Sequence, residues 1–314
     1  MILELIILLA SLVAVAIISD KVIIYVSKLS FYLGISEMSA GFILLSVSTS
    51  LPELFIAIIS SLTNSSNLSV GNVLGANIAN LTLVTGIAIL LSKTNLSIKS
   101  VSQKSLSEFL FLASVITLFI IQRESVSSIL GGVLLILFIY FGFNISKKTG
   151  GIKPLGYYRR SEMNSTAIKF LISISILLFV SKLIVDNGVS IAFSLGIPIS
   201  VIGATIVSAG TTLPELITTI QALRRHLNEM ALGNILGSCI TNLTLILGLA
   251  ALLSSSQINI VAASSMVFFM LFSTLVMWYL INTRDHLGRK AALLLLLIYI
   301  AFILQQIGFS FFIF

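Results

Sequence analysis

Two carboxylates stand where the sequence is otherwise apolar. Glu53 ends the segment Ser48-Thr49-Ser50-Leu51-Pro52-Glu53, and Glu215 ends Gly210-Thr211-Thr212-Leu213-Pro214-Glu215. Of the eleven acidic residues, only these two lie deep within long apolar runs; the others fall in loops or near run ends. A carboxylate drawn out of water and left unpaired takes up a proton or holds a cation. No Lys or Arg lies at comparable depth, so the sequence supplies no fixed positive partner. A neutral glutamic acid joining helix to helix is the structural alternative. Recurrence of the residue in the same setting favours cation binding, the default reading of an acid inside a membrane segment.

The flanking residues bring the backbone into play. Pro52 has no N–H for the carbonyl of Ser48, nor Pro214 for that of Gly210. Within a membrane such freed carbonyls are tolerated where they line a cavity or hold an ion. One proline would serve equally well as a packing kink; a proline beside a glutamate in both copies points to function. Thr49 precedes Glu53 by four residues, as Thr211 precedes Glu215, so each pair is expected on one helical face.

A second pair of segments follows. Gly71-Asn72-Val73-Leu74-Gly75-Ala76-Asn77-Ile78-Ala79-Asn80 matches Gly233-Asn234-Ile235-Leu236-Gly237-Ser238-Cys239-Ile240-Thr241-Asn242. Glycines permit close helix approach and bending. Asn80 and Asn242 offer neutral amide oxygens to an ion, or else interhelical hydrogen bonds worth about 0.6 kcal/mol each. Asn72 and Asn234, two turns earlier, read as bend or packing residues. Cys239 reads as a small packing residue, a neutral thiol being a poor ligand for a hard cation.

Carboxylates, amides, hydroxyls and freed carbonyls make an all-oxygen donor set. Calcium takes such a set in flexible geometry, whereas magnesium gives up its water reluctantly. Zinc or copper would call for His or Cys, and His226 and His286 both fall in loops. Two glutamates carry −2, which one Ca2+ or two monovalent cations neutralise. No resident cofactor is expected; the ions would be cargo.

The elements that must position these groups are membrane helices. Hydrophobic residues make up 57% of the chain and charged residues 9%, with mean hydropathy +1.14; a soluble domain carries about 25% charged residues. Apolar runs give ten expected spans, near 2–26, 39–62, 70–92, 105–122, 126–146, 167–186, 197–223, 230–253, 258–281 and 290–313. The first is read as a retained helix, since Glu4 replaces a basic start and no small-residue cleavage site follows. A single cysteine excludes an internal disulfide or a cysteine metal cluster.

The two halves repeat. An offset of 162 residues aligns Glu53 with Glu215, Pro52 with Pro214, Gly34 with Gly196, Gly41 with Gly203, Gly71 with Gly233 and Asn80 with Asn242, without a gap. Five spans per half make the halves enter the membrane from opposite sides. With the N-terminus outside, sixteen of the eighteen Lys and Arg residues fall on the cytoplasmic side, leaving only Arg123 and Lys182 outside. That asymmetry accounts for the net charge of +7 without nucleic acid. The expected fold is an all-α integral membrane protein of ten transmembrane helices in two inverted five-helix repeats. Residues 1–146 form the first repeat, with its motif near 39–86, and 147–165 a basic cytoplasmic linker; 166–314 form the second, with its motif near 201–248. Multi-pass placement in the cell membrane, both termini outside and a monomer in the bilayer complete the expectation. Inverted repeats of this kind put a binding site near the midplane, as in secondary transporters.

These motifs resemble the α-repeats of the cation/calcium exchanger superfamily, most nearly its prokaryotic sodium/calcium exchanger branch. The likeness lies in the two Leu-Pro-Glu segments, each followed by Gly-(Ala/Ser)-X-Ile-X-Asn, and it extends over essentially the whole chain. The resemblance implies exchange of Ca2+ for Na+ by alternating access, the first and sixth spans sliding over a static core. It also implies four clustered ion sites. Glu53 and Glu215 would be the principal ligands, with Thr49, Thr211, Ser50 and Thr212 beside them. Ser46 and Ser208 would offer carbonyls to flanking sodium sites, and Ser238 would complete one of them. Asn80, Asn242 and Asn77 join the candidate ligand set.

Two departures stand out. Related sodium exchangers carry an aspartate at one of the central paired positions, where this chain has Asn80 and Asn242; Ala76 stands where a serine hydroxyl is expected. Proton-coupled exchange of calcium or other divalent cations through the same glutamates is the alternative, although the Thr-Leu-Pro-Glu form is nearer the sodium branch. A channel is disfavoured by the duplication within one chain. An intramembrane enzyme is disfavoured by the lack of a nucleophile, catalytic dyad or nucleotide loop.

Overall fold

Gly, Pro and polar clusters interrupt the apolar runs, and the helices begin and end at those interruptions. The computed structural model describes residues 2–62, 66–121, 128–148, 160–194, 208–253 and 260–306. The first half holds α1 (Ile2–Leu33), α2 (Glu37–Thr49), α3 (Leu51–Leu62), α4 (Ser66–Ala79), α5 (Thr85–Ser92), α6 (Val101–Ile121) and α7 (Ser128–Lys148). The second holds α8 (Arg160–Ser194), α9 (Ser208–Thr211), α10 (Leu213–Arg224), α11 (Asn228–Thr241), α12 (Leu247–Leu253), α13 (Ile260–Thr283) and α14 (Arg289–Gln306).

Among the described residues, seven helical spans are long and apolar enough to cross a membrane. They become eight if α2 and α3, bent by 46° at their junction, count as one. The 162-residue offset reappears in the backbone. α3 and α10 start and stop at equivalent positions, as do α4 and α11, and both of the latter run into π-helical turns, Asn80–Val84 and Asn242–Ile246. A third π turn, Ala40–Ser46, lies within α2; its counterpart falls outside the described residues, as do Gly196 and Gly203.

The structure adds three details to the expectation. The described residues are nearly all helical, with one short exception: Leu96–Ser97 (β1) pairs antiparallel with His286–Leu287 (β2). These short extended connectors leave helix ends side by side, and pairing satisfies backbone groups that would otherwise lack partners; Ile98 N also donates to Asp285 O at 2.7 Å. The outer helices run past their apolar limits. α1 continues to Leu33 and stops at Gly34, whose φ of 65° suits glycine. Both ends of the expected linker 147–165 are helical: α7 reaches Lys148 and α8 begins at Arg160, with Glu162 in its first turn. Polar composition there marks departure from the bilayer, not the end of a helix, and an acid in a first turn suits the helix dipole. Residues 122, 126–127, 149–159, 197–207, 258–259 and 307–313 of the expected linker and spans lie outside the described residues.

Burial sorts the helices. Most residues of the stretches Val70–Ser92 and Asn228–Leu253 are buried and form the centre, whereas α1 and α8 are buried over only about a third of their apolar length and pack chiefly along each other. The halves interlock: α3 packs on α12 as α10 packs on α5, α4 on α13 as α11 on α6, and α7 on α12 as α14 on α5. α1 is also tied to the end of α10, where Arg225 makes a two-pronged contact with Asp20 at 2.8 and 2.9 Å. Both side chains are partly exposed, so this pair adds little stability.

The tightest crossing brings α2 against α11 backbone to backbone. A Cβ on Gly233 would lie 2.6 Å from Met38 O, and one on Gly41 would overlap Met230 O. No backbone carbonyl can swing aside as a side chain would. Gly233→Val is therefore expected to destabilise the protein by at least about 2 kcal/mol, seen as a lower thermal unfolding midpoint in detergent. An unchanged midpoint would show that the crossing is looser.

Candidate functional site

Local chemistry sets the break in each central helix. Pro52 and Pro214 stand second in α3 and α10 and bring no N–H. Just before them, Ser50 (φ −81°, ψ 10°) and Thr212 (φ −89°, ψ 6°) leave helical geometry at equivalent positions. Hydrogen bonds resume at once, Leu54 N to Ser50 O at 3.1 Å and Leu216 N to Thr212 O at 3.0 Å. Each glutamate thus stands in the first turn of a new helix, whose positive dipole end favours a negative charge.

The bend also separates Thr49 from Glu53, so the expectation of one continuous helical face is not met. The threonines turn to the opposite half: the Thr49 side chain lies beside the Glu215 carboxylate, and that of Thr211 beside Glu53. Both glutamates are fully buried, and their carboxylates are near enough to interact electrostatically. Ser50 Oγ donates to Glu215 Oε1 at 3.1 Å across the halves, and Ser238 Oγ donates to the same oxygen at 3.4 Å. Glu53 is served differently. Among the described residues neither of its oxygens has a hydrogen bond of good geometry, and the position equivalent to Ser238 is the buried Ala76.

The amides gather next to the carboxylates. Asn242 Nδ2 donates to Asn77 Oδ1 at 2.9 Å, and Asn77 Nδ2 donates to the carbonyl of Cys239 at 3.2 Å. Cys239 Sγ in turn approaches Asn77 O at 3.9 Å, so these equivalent positions grip each other's backbone. Asn242 Oδ1 and both side-chain polar atoms of Asn80 are buried without a hydrogen-bond partner among the described residues. Ser46 O accepts from Ser50 N at 3.0 Å and Thr49 Oγ1 at 3.2 Å, while its own hydroxyl donates to Phe42 O. Thr212 is buried at the second break. Ser208 begins α9, and its side chain lies outside the described residues.

Two residues read from the sequence as packing or bend positions do more. Asn234 Nδ2 reaches Glu215 O at 3.3 Å, Thr218 Oγ1 at 3.2 Å and Thr219 Oγ1 at 2.9 Å, while its Oδ1 faces Thr49 Oγ1 at 3.5 Å. Asn72 Nδ2 stands 3.5 Å from Glu53 O in the same relation. Their repetition at the 162-residue offset was the available signal. Asn234→Ala, which removes the donor shared by Glu215 O, Thr218 Oγ1 and Thr219 Oγ1, is expected to destabilise the protein by about 2 kcal/mol. A thermal unfolding midpoint in detergent measures the loss, and an unchanged midpoint would show that these bonds do not hold the site together.

A cavity of about 500 Å³ reaches Thr211 and Pro214 from the side of α8, passing Leu51, Pro52, Lys182 and Asp186. Among the described residues Thr211 is the one candidate ligand in its lining; the buried carboxylates, unsatisfied amide oxygens and hydroxyls of the site form an all-oxygen donor set, which suits a hard cation.

A helical membrane protein with a buried, oxygen-lined carboxylate pair between interlocked halves belongs to the class of polytopic ion transporters. The chain belongs to the sodium/calcium exchanger protein family, whose model matches residues 3–146 and 165–308. It is 30% identical to the sodium/calcium exchanger MaX1 of Methanosarcina acetivorans, over 91% of this chain and 93% of that protein. It is likewise 30% identical to the inner membrane protein YrbG of Escherichia coli, over 78% of each. Its fold matches the solved sodium-calcium exchanger NCX_Mj with a TM-score of 0.83 at 26% identity, over 96% of this chain and 97% of that one. As a family member it is a membrane antiporter that exchanges cations, calcium among them.

Proposed function

We propose that this protein exchanges Ca2+ for Na+ by alternating access, with Glu53 and Glu215 as the charged ligands. The observation that carries this reading is the facing carboxylate pair, fully buried at the meeting of the halves, with Ser50 of one half bonded to Glu215 of the other. Thr49, Thr211, Thr212, Ser238, Asn77, Asn80 and Asn242 complete the oxygen shell, and the carbonyls of Ser46 and Ser208 flank it. One calcium ion or two sodium ions neutralise the pair, so the two cargoes compete for one charge. The names of MaX1 and NCX_Mj support sodium as the counter-ion.

Ten spans in two inverted repeats, residues 1–146 and 166–314, fit the repeated element boundaries and the reciprocal packing of the halves. The charge asymmetry supports termini outside and the linker in the cytoplasm. The weakly buried α1–α8 pair is suited to move against the central stretches.

The experiment is calcium flux into proteoliposomes, first under a sodium gradient and then under a pH gradient without sodium. The sodium gradient is expected to drive uptake and the pH gradient to leave it at background. Flux driven only by the pH gradient would replace sodium with protons.

A further inference from the structure

We propose that the connector between α13 and α14 forms a binding site for the headgroup of one anionic phospholipid. The two helices are both candidate spans, Ser265–Thr283 and Arg289–Gln306, so residues 284–288 must lie at the boundary between bilayer and water. A cavity of about 470 Å³ opens there, lined by Arg284, His286, Arg289 and Lys290. Among the described residues none of these side chains forms an ion pair or hydrogen bond, so the three fixed cations face the cavity uncompensated. The neighbouring Asp285 is not part of the lining; its backbone carbonyl is held by Ile98 N.

The cavity is held open by structure. The pairing of β1 with β2 fixes His286 and Leu287 against the other half of the chain, and Ser97 N is anchored on Asn228 Oδ1 at 3.0 Å. Below the cations the lining turns apolar. Leu280 and Leu294 come from the two spans, and Leu294 is 45% exposed on the face that meets lipid tails. A charged upper rim above an exposed apolar wall matches a phosphodiester joined to an acyl chain better than a free anion. Basic pockets between membrane helices bind anionic headgroups for this reason.

The test is native mass spectrometry of the detergent-purified protein titrated with a short-chain phosphatidylglycerol, with the matching phosphatidylcholine, and with inorganic phosphate. One phosphatidylglycerol per chain is expected to bind in preference to phosphatidylcholine and to resist displacement by phosphate. The triple substitution R284Q/R289Q/K290Q is expected to weaken it about 100-fold, and R289Q alone about 5-fold, the single variant covering the case in which the triple does not fold. K21Q/K28Q/K169Q, which removes three exposed cations on α1 and α8, is expected to change little. Retention of wild-type affinity in the pocket variants, or an equal loss in the control, would overturn the site. Displacement by equimolar phosphate would make the ligand a free anion and overturn the lipid assignment.

Discussion

Glu53→Gln and Glu215→Gln are each expected to abolish calcium exchange. The substitution keeps the size and shape of the side chain, so the fold should persist while the charge falls from −2 to −1. At an effective dielectric of about 20 and a separation of about 4 Å, one unit of charge on each partner is worth about 4 kcal/mol. Calcium carries two, so an affinity loss of three orders of magnitude is a modest expectation. The loaded site would also carry +1 through the apolar interior, adding to the barrier. Initial calcium uptake at subsaturating calcium should fall at least about 100-fold in either variant. Wild-type exchange in one of them would show that its carboxylate is no ligand.

The second large effect concerns membrane potential. With both glutamates ionised, a calcium-loaded site carries no net charge, because Asn80 and Asn242 are neutral. Calcium–calcium exchange should then proceed at the same rate whatever potential a potassium gradient and ionophore impose. Asn242→Asp changes this. Ionised, it leaves the loaded site at −1, and moving that charge through the field involves about 2.3 kcal/mol per 100 mV, or roughly 50-fold between the two facing states. Tracer equilibration of calcium at clamped potentials measures both proteins. Steep voltage dependence of the wild type would mean that another ionised group travels with the ion.

Much of this was legible in the sequence for one physical reason: a carboxylate in an apolar run has few explanations, and two at a fixed offset have fewer. The broken helices at Ser50 and Thr212 followed from Pro52 and Pro214. The π turns after Ala79 and Thr241 left no mark, because Asn80–Val84 and Asn242–Ile246 read as ordinary apolar helix. The crossing of Thr49 to Glu215 was hidden as well, since sequence spacing reports neighbours along one helix and not across two. Asn72 and Asn234 were visible as repeats, yet their bonds to the Glu53 and Glu215 carbonyls depend on how α4 meets α3 and α11 meets α10. The overrun of α1 and α8 escaped because hydropathy locates the bilayer and says little about where a helix ends in water.

The central claim is that Glu53 and Glu215 form one cation site shared by the two halves. Equilibrium calcium binding to the purified protein tests it most directly, comparing wild type with the Glu53→Gln/Glu215→Gln double variant in the presence and absence of sodium. The account predicts saturable calcium binding to the wild type, competition by sodium, and no measurable binding to a double variant that remains folded. Calcium binding of wild-type affinity in that double variant would contradict it.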